Sequence, residues 1–182
     1  MLEFAILGLL HEHPMHGYEL RKRLNAVLGM FRAFSYGSLY PALRRLKQQG
    51  WISEDDVTPA TARRGKVVYK LTAEGKERFA ELLAEVGPEA FEDEGFGVHF
   101  AFFSRTDAAT RMRILEGRRR RVEEKREGLR STLSRTREKF DAYTAELQRH
   151  GLEAVDREVR WLNELIANEQ AGQPPDQHTP TE

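Results

Sequence analysis

Residues 35–50, SYGSLYPALRRLKQQG, constrain this chain more than any other stretch, because the pattern is that of a helix with two unlike faces. Leu39, Leu43 and Leu46 stand at i, i+4 and i+7, which is one apolar stripe at helical period. Half a turn away lie Gly37, Pro41, Arg44 and Gln48, with Ser38, Tyr40 and Arg45 on the flanks. That second face is small at its N-terminal end, then basic and amide-bearing. Such a helix can rest on a core with one side and enter a DNA major groove with the other, its first turn nearest the bases. The plain alternative is a surface helix with a solvated basic face. The neighbouring segments decide between the two.

Upstream, Phe4 to Leu10 is an apolar run too short to span a bilayer and is expected as one buried helix. HGYEL at 16–20 opens a second segment, with Leu20, Leu24, Val27, Leu28 and Phe31 at helical spacing and Gly29 closing it. After Gly50, Trp51-Ile52-Ser53 begins a short extended piece, and Val67–Leu71 is a second one rich in β-formers. The polar loop between them carries Arg63, Arg64 and Lys66. Thr72 then caps a further helix with Glu74 in its first turn, and Phe79, Leu82, Leu83 and Val86 mark its buried face. Helix, helix, helix, strand, basic loop, strand, helix is the order of a winged helix-turn-helix. The loop is then a wing beside the third helix. Charge agrees: residues 1–80 hold 13 Lys+Arg against 8 Asp+Glu, while residues 81–182 hold 16 against 21. A basic half joined to an acidic half suits a phosphate-binding module with a partner domain that binds no phosphate.

The ordered motifs AILGLL, HGYEL, SYGSLYPALRRLKQQGWI and VVYKLTAEGKE resemble the PadR family of bacterial transcriptional regulators over roughly residues 2–85. Gly-Ser-Leu followed by Tyr-Pro-Ala-Leu is the most distinctive of these signatures. The helical C-terminal region resembles the larger subfamily in pattern and length. The resemblance implies that Tyr18, Ser38, Tyr40 and Arg44 approach DNA from the helix-turn-helix, and Arg63, Arg64 and Lys66 from the wing. It also implies a ligand near the dimer interface that releases DNA.

The second half has its own patterning. Gly87-Pro88 breaks the chain, and Phe91, Phe96, Phe100, Phe102 and Phe103 follow, half of the ten phenylalanines within thirteen positions. They need a core, a partner or a ligand to cover them. Phe96, Phe100 and Phe103, with Trp161, could line a pocket for a small aromatic effector, or simply fill the joint between domains. From Thr106 to His150 no proline intervenes, and a continuous helix of about 65 Å is expected. Its seam falls on Met112, Arg119, Arg126, Leu133, Phe140 and Leu147, and on Leu115, Val122, Leu129, Thr136 and Tyr143. Eight of these eleven are apolar, so the stripe must meet another subunit or the last helix, where Leu152, Val155, Val159, Leu162 and Ile166 repeat the spacing. Leu115, Val122, Leu129, Leu133, Phe140, Leu147, Val159 and Leu162 are therefore the expected dimerisation residues.

The remaining signals are mostly exclusions. His11, His13 and His16 bracket a proline and lack a further fixed ligand, so they read as a structural turn rather than a metal site. Arg118–Arg121 reads as a solvated or interface face, with Arg119 on the seam pairing across subunits. There is no cysteine, no glycine-rich phosphate loop and no carboxylate pair beside a histidine, so neither an enzyme nor a cofactor is expected. No cysteine, signal peptide or membrane segment is in evidence, which points to a cytoplasmic protein. The expected fold is mainly α with a small β wing. A winged helix over 1–86 is followed by a Phe-rich connector over 87–105, a helical dimerisation domain over 106–170 and a disordered tail over 171–182. The expected function is that of a homodimeric DNA-binding transcriptional regulator on a pseudo-palindromic operator, with repression favoured over activation. The alternative is a winged-helix protein-interaction module without specific DNA binding.

Overall fold

The computed structural model describes residues 1–29, 36–57, 66–136 and 141–172. Arg63, Arg64, Phe140 and the tail beyond 172 lie outside those residues, as does the Lys66 side chain. The chain divides into two compact units, Met1–Asp107 and Ala108–Glu182.

In the first unit α1 (Leu2–Glu12) is buried along the whole run from Phe4 to Leu10, as an all-apolar helix must be. Pro14 forces His13 into an extended conformation (φ −165°, ψ 158°) and so ends α1. The extended chain continues as β1 (Met15–His16), a strand absent from the sequence reading. Next come α2 (Gly17–Leu28), which buries Leu20, Leu24 and Leu28, and α3 (Tyr36–Gln48), which buries Leu39, Ala42, Leu43 and Leu46. Val27, expected on the buried face of α2, is 44% exposed on its other side.

The end of α3 is closed by Gly50 at φ +76°, a left-handed position that favours glycine. The Gly50 amide donates to the Lys47 carbonyl and the Trp51 amide to that of Leu46, both at 3.0 Å. This paired closure satisfies two terminal carbonyls and delivers Trp51 to β2 (Ile52–Val57). β3 (Lys66–Leu71) runs antiparallel to β2 from Ile52↔Leu71 to Val57↔Lys66, and on its other edge pairs Tyr69 with Met15. The sheet order is β1-β3-β2. Thr72 caps α4 (Ala73–Ala84): its hydroxyl accepts from the Gly75 amide at 3.0 Å and donates to the Gly50 carbonyl at 2.7 Å.

The Phe-rich stretch is not a connector. It forms α5 (Asp93–Ala101) between two short 3-10 turns and packs into the first unit. Phe102 joins Phe4 and Phe79 in a triad with centroids 5.5–5.6 Å apart. A Cβ on Gly8 would stand 2.2 Å from the Phe102 ring, so glycine is what lets α1 approach it. Of the three covers open to these rings, a core, a partner or a ligand, Phe96 and Phe102 have the first, at 2% and 3% exposure.

His99 on α5 is 4% exposed and packs on Phe4 at a centroid distance of 4.8 Å. Burial pushes its pKa from 6.5 down to about 4. His11 shifts the same way, through burial and then the Arg105 guanidinium. Both histidines bind protons more readily unfolded than folded. Their contribution is therefore complete above about pH 6.5 and is lost as pH falls toward 4. Thermal melts between pH 7 and 4 should show that loss, and His99→Leu should flatten it.

The second unit is an antiparallel hairpin of α6 (Ala108–Thr136) and α7 (Ala142–Gln170). This corrects the expectation of one helix to His150 and a break at Gly151. Asp141 starts the new helix by accepting the amides of Tyr143 at 2.9 Å and Thr144 at 3.0 Å, while Gly151 lies inside α7. Arg111 pairs with Glu169, Arg118 with Glu158 and Arg130 with Asp156, which sets the register of the two helices. That register puts Leu115 level with Leu165 and Val122 level with Val159. Leu115, Val122, Val159 and Leu162, all at 4% exposure or less, are thus buried within one chain. They are not available to a second subunit. Leu129 and Leu133 are half-buried and Leu147 is 67% exposed. Arg119 reaches Asn163 across the hairpin at 3.5 Å. Among the described residues, no helix is long and apolar enough to cross a membrane.

Candidate nucleic-acid interface

With its leucines in the core, α3 turns Gly37, Tyr40, Arg44 and Gln48 outward. Tyr40 is 42% exposed and Arg44 follows it by one turn, so the phenol and the guanidinium lie one above the other. Ser38 is half-buried beside them. Pro41 stands inside the helix, in its second turn, and has no amide to give the Gly37 carbonyl four residues earlier.

The cations of α3 are not equivalent. Arg45 donates to Glu3 at 2.8 Å, and Lys47 pairs with Glu54. On the wing, Lys70 pairs with Asp55, and on α2 Arg23 reaches Glu12 at 3.3 Å. Arg44 has no carboxylate partner among the described residues. It is the α3 cation left to meet an anion from outside.

Tyr40 is brought together with Tyr18, the first exposed side chain of α2. A cleft of about 470 Å³ is lined by both phenols and by His16, Gly17, Glu19, Val67 and Tyr69. His16 fixes one wall: its Nδ1 can only donate to the Val67 carbonyl, at 3.2 Å, which ties β1 to β3. Tyr69 is 7% exposed, and burial first, then Glu54 and Tyr40, raises its pKa, so its hydroxyl stays protonated. The sequence reading named Tyr18 and Tyr40 but missed Tyr69 and the role of His16. The signal was present as alternation along VVYKL, yet β1, the strand against which Tyr69 pairs, is too short to leave a pattern.

The three N-terminal histidines face three different partners. His11 accepts from Arg105 at 3.2 Å, His13 lies 3.6 Å from Glu19 and His16 holds Val67. Among the described residues no group of histidines and carboxylates could hold a metal ion. Phe100 stacks between Phe96 at 5.7 Å and Phe103 at 4.9 Å in the first unit, and Trp161 belongs to α7 in the second, 36% exposed.

Residues 6–81 match the transcriptional regulator PadR-like family. Over 96 residues, 52% of this chain and 52% of that one, the sequence is 31% identical to the negative transcriptional regulator PadR of Bacillus subtilis. It is 30% identical over 112 residues to a probable transcriptional regulator, Rv1176c, of Mycobacterium tuberculosis, covering 62% of this chain and 58% of that one. The chain thus spans little more than half the length of the curated relatives it matches. A crystal structure of Bacillus subtilis PadR in complex with operator DNA covers 92% of this chain and 98% of its own, at 23% identity and a TM-score of 0.46.

Proposed function

We propose that this chain, whose residues 6–81 match the transcriptional regulator PadR-like family, is a member of that family and a DNA-binding transcriptional regulator that works as a homodimer. The observation that carries the reading is the outward face of α3. Tyr40 and Arg44 stand exposed there while Arg45 and Lys47 are held in ion pairs. α3 enters the major groove. Arg44 reaches a base edge or phosphate, and the hydroxyls of Tyr18 and Tyr40 take backbone oxygens. Ser38 follows from the first turn of α3. The relative in Bacillus subtilis is a negative regulator, which favours repression here. The chain has no catalytic role in this reading, requires no cofactor and acts in the cytoplasm.

The wing supplies the non-specific part of the affinity. Arg63, Arg64 and Lys66 contact phosphates or the minor groove, each contact releasing counterions. Arg63→Ala with Arg64→Ala should weaken binding to all duplexes alike and lower the salt slope by about one to two units. Unchanged affinity and slope in that double variant would remove the wing from the interface.

Two copies are held by residues other than the hairpin seam. Among the described residues, the large apolar side chains most exposed on the second unit are Tyr143 (89%), Leu147 (67%) and Trp161 (36%). Tyr143 and Trp161 are about five helical turns apart, and Leu147 follows Tyr143 by one turn, so the three share a stripe of α7. This stripe is the dimer face we assign, in place of the buried Leu115, Val122, Val159 and Leu162. A pseudo-palindromic operator asks for two α3 helices about 34 Å apart, one turn of duplex.

A further inference from the structure

The first unit contains a second cleft, of about 660 Å³, on the side of α1 and α4 that meets the 86–90 turn and α5. Phe4 and Trp51 supply its apolar walls. Arg78 is the one cationic side chain in the lining, and it is already committed. Its guanidinium lies 5.5 Å from the Trp51 ring centroid and donates to Glu81 at 2.9 Å and Glu85 at 3.2 Å. Three carboxylates border the cleft, Glu3, Glu85 and Glu89. Glu3 is taken by Arg45 and Glu85 by Arg78, whereas Glu89 has no ion pair among the described residues. Counting the Met1 amino group as a second cation leaves the lining still net acidic.

The inner wall carries a second unused group. The His99 imidazole is 4% exposed and lines the cleft, and among the described residues nothing hydrogen-bonds to it. A buried polar group is ordinarily hydrogen-bonded, and one left open beside a cavity marks where a ligand's polar atom would sit. A neutral imidazole offers a ring nitrogen lone pair, and Glu89 accepts only. Glu89 and that lone pair take N–H donors, the other ring nitrogen carries an N–H of its own, and the aromatic walls ask for a flat apolar body.

We propose that this cleft binds a flat organic cation, an aromatic body bearing one ammonium group. The ring packs between Phe4 and Trp51, and the ammonium lies between Glu89 and His99. The cleft is walled by α1, by Trp51 at the start of β2, by α4 and by α5, so a ligand there bridges the DNA-reading elements to the helix that follows them. That regulatory consequence rests on the DNA-binding reading; the site itself does not.

The test is calorimetric titration of the full chain with three matched probes: biphenyl-4-ylmethylamine, biphenyl-4-ylmethanol and biphenyl-4-carboxylate. The amine should bind about tenfold more tightly than the alcohol, a difference of about 1.4 kcal/mol, with the carboxylate weakest. Glu89→Gln should bring the amine down to the level of the alcohol and leave the alcohol unchanged. Glu89 is exposed, so that variant does not threaten the fold. Absence of binding by the amine, a carboxylate that binds as tightly as the amine, or amine affinity indifferent to Glu89→Gln would overturn the assignment. No readout here uses DNA, so a chain that failed to bind any duplex would refute the regulator reading and leave this one standing.

Discussion

Changing Leu147 and Trp161 together to glutamate should leave the chain folded but monomeric, and should weaken binding to a two-half-site duplex by about 100-fold or more. The first half of that expectation follows from burial. Leu147 is 67% exposed and Trp161 36%, so the pair supports the hairpin less than Leu162, at 0%, does, with Trp161 the one that still packs within its own chain. Far-ultraviolet circular dichroism and the melting temperature should change little. The second half follows from linkage. A monomer engages one half-site at a time and loses the effective concentration that joins the second binding event to the first. Sedimentation and binding measured on the same samples check both parts. A doubly substituted chain that remained dimeric would place the interface elsewhere on the molecule. The contrasting variant is Leu162→Glu, which should unfold the second unit because it buries a charge between α6 and α7.

Arg44→Ala should cost about 1–3 kcal/mol at each half-site, about fivefold to more than a hundredfold in half-site affinity. Arg45→Ala and Lys47→Ala should change DNA binding far less, although all three cations lie within one turn. The difference is one of partners. Arg45 is held by Glu3 and Lys47 by Glu54, so each would have to leave a carboxylate before meeting a phosphate. Both pairs are largely exposed and contribute little to stability, roughly 0–1 kcal/mol each. Their removal should therefore be mild in every assay, whereas Arg44→Ala should spare the melting temperature and remove binding. Equal losses for all three would mean that the ion pairs open on DNA and that α3 offers a diffuse basic face.

What the sequence revealed follows from where periodicity is strong. Leu39, Leu43 and Leu46 set α3 and its outward face, and the β-formers of 67–71 set the wing strand, because a buried stripe is a local property. β1 was hidden because two residues carry no period; it exists only through pairing of Met15 with Tyr69, fifty-four positions away. The break between α6 and α7 was hidden because the seam spacing continues through it. The Asp141 cap, read from Asp-Ala-Tyr-Thr, was the local sign that outweighed the heptad count. The same turn buries Leu115, Val122, Val159 and Leu162 of the expected stripe within one chain, while Leu147 stays exposed, since a helix that folds back covers part of its own stripe. Phe102 was taken for part of a connector because nothing local shows that Gly8, ninety-four positions earlier, leaves room for its ring. The same blindness applies to the candidate interface. Which of Arg44, Arg45 and Lys47 is spare depends on Glu3 and Glu54, which only the fold brings close.

The most direct test is selection of duplexes from a random library by the full, unaltered chain, followed by titration of the enriched sequence against salt. A homodimeric regulator should enrich an inverted repeat with half-sites centred about 10 base pairs apart, protected as one footprint. Its affinity should fall by about a thousandfold or more between roughly 50 and 200 mM salt. No enrichment, or binding of a macromolecular partner whose strength is indifferent to salt, would contradict the DNA-binding reading and would leave α3 as a protein-docking surface.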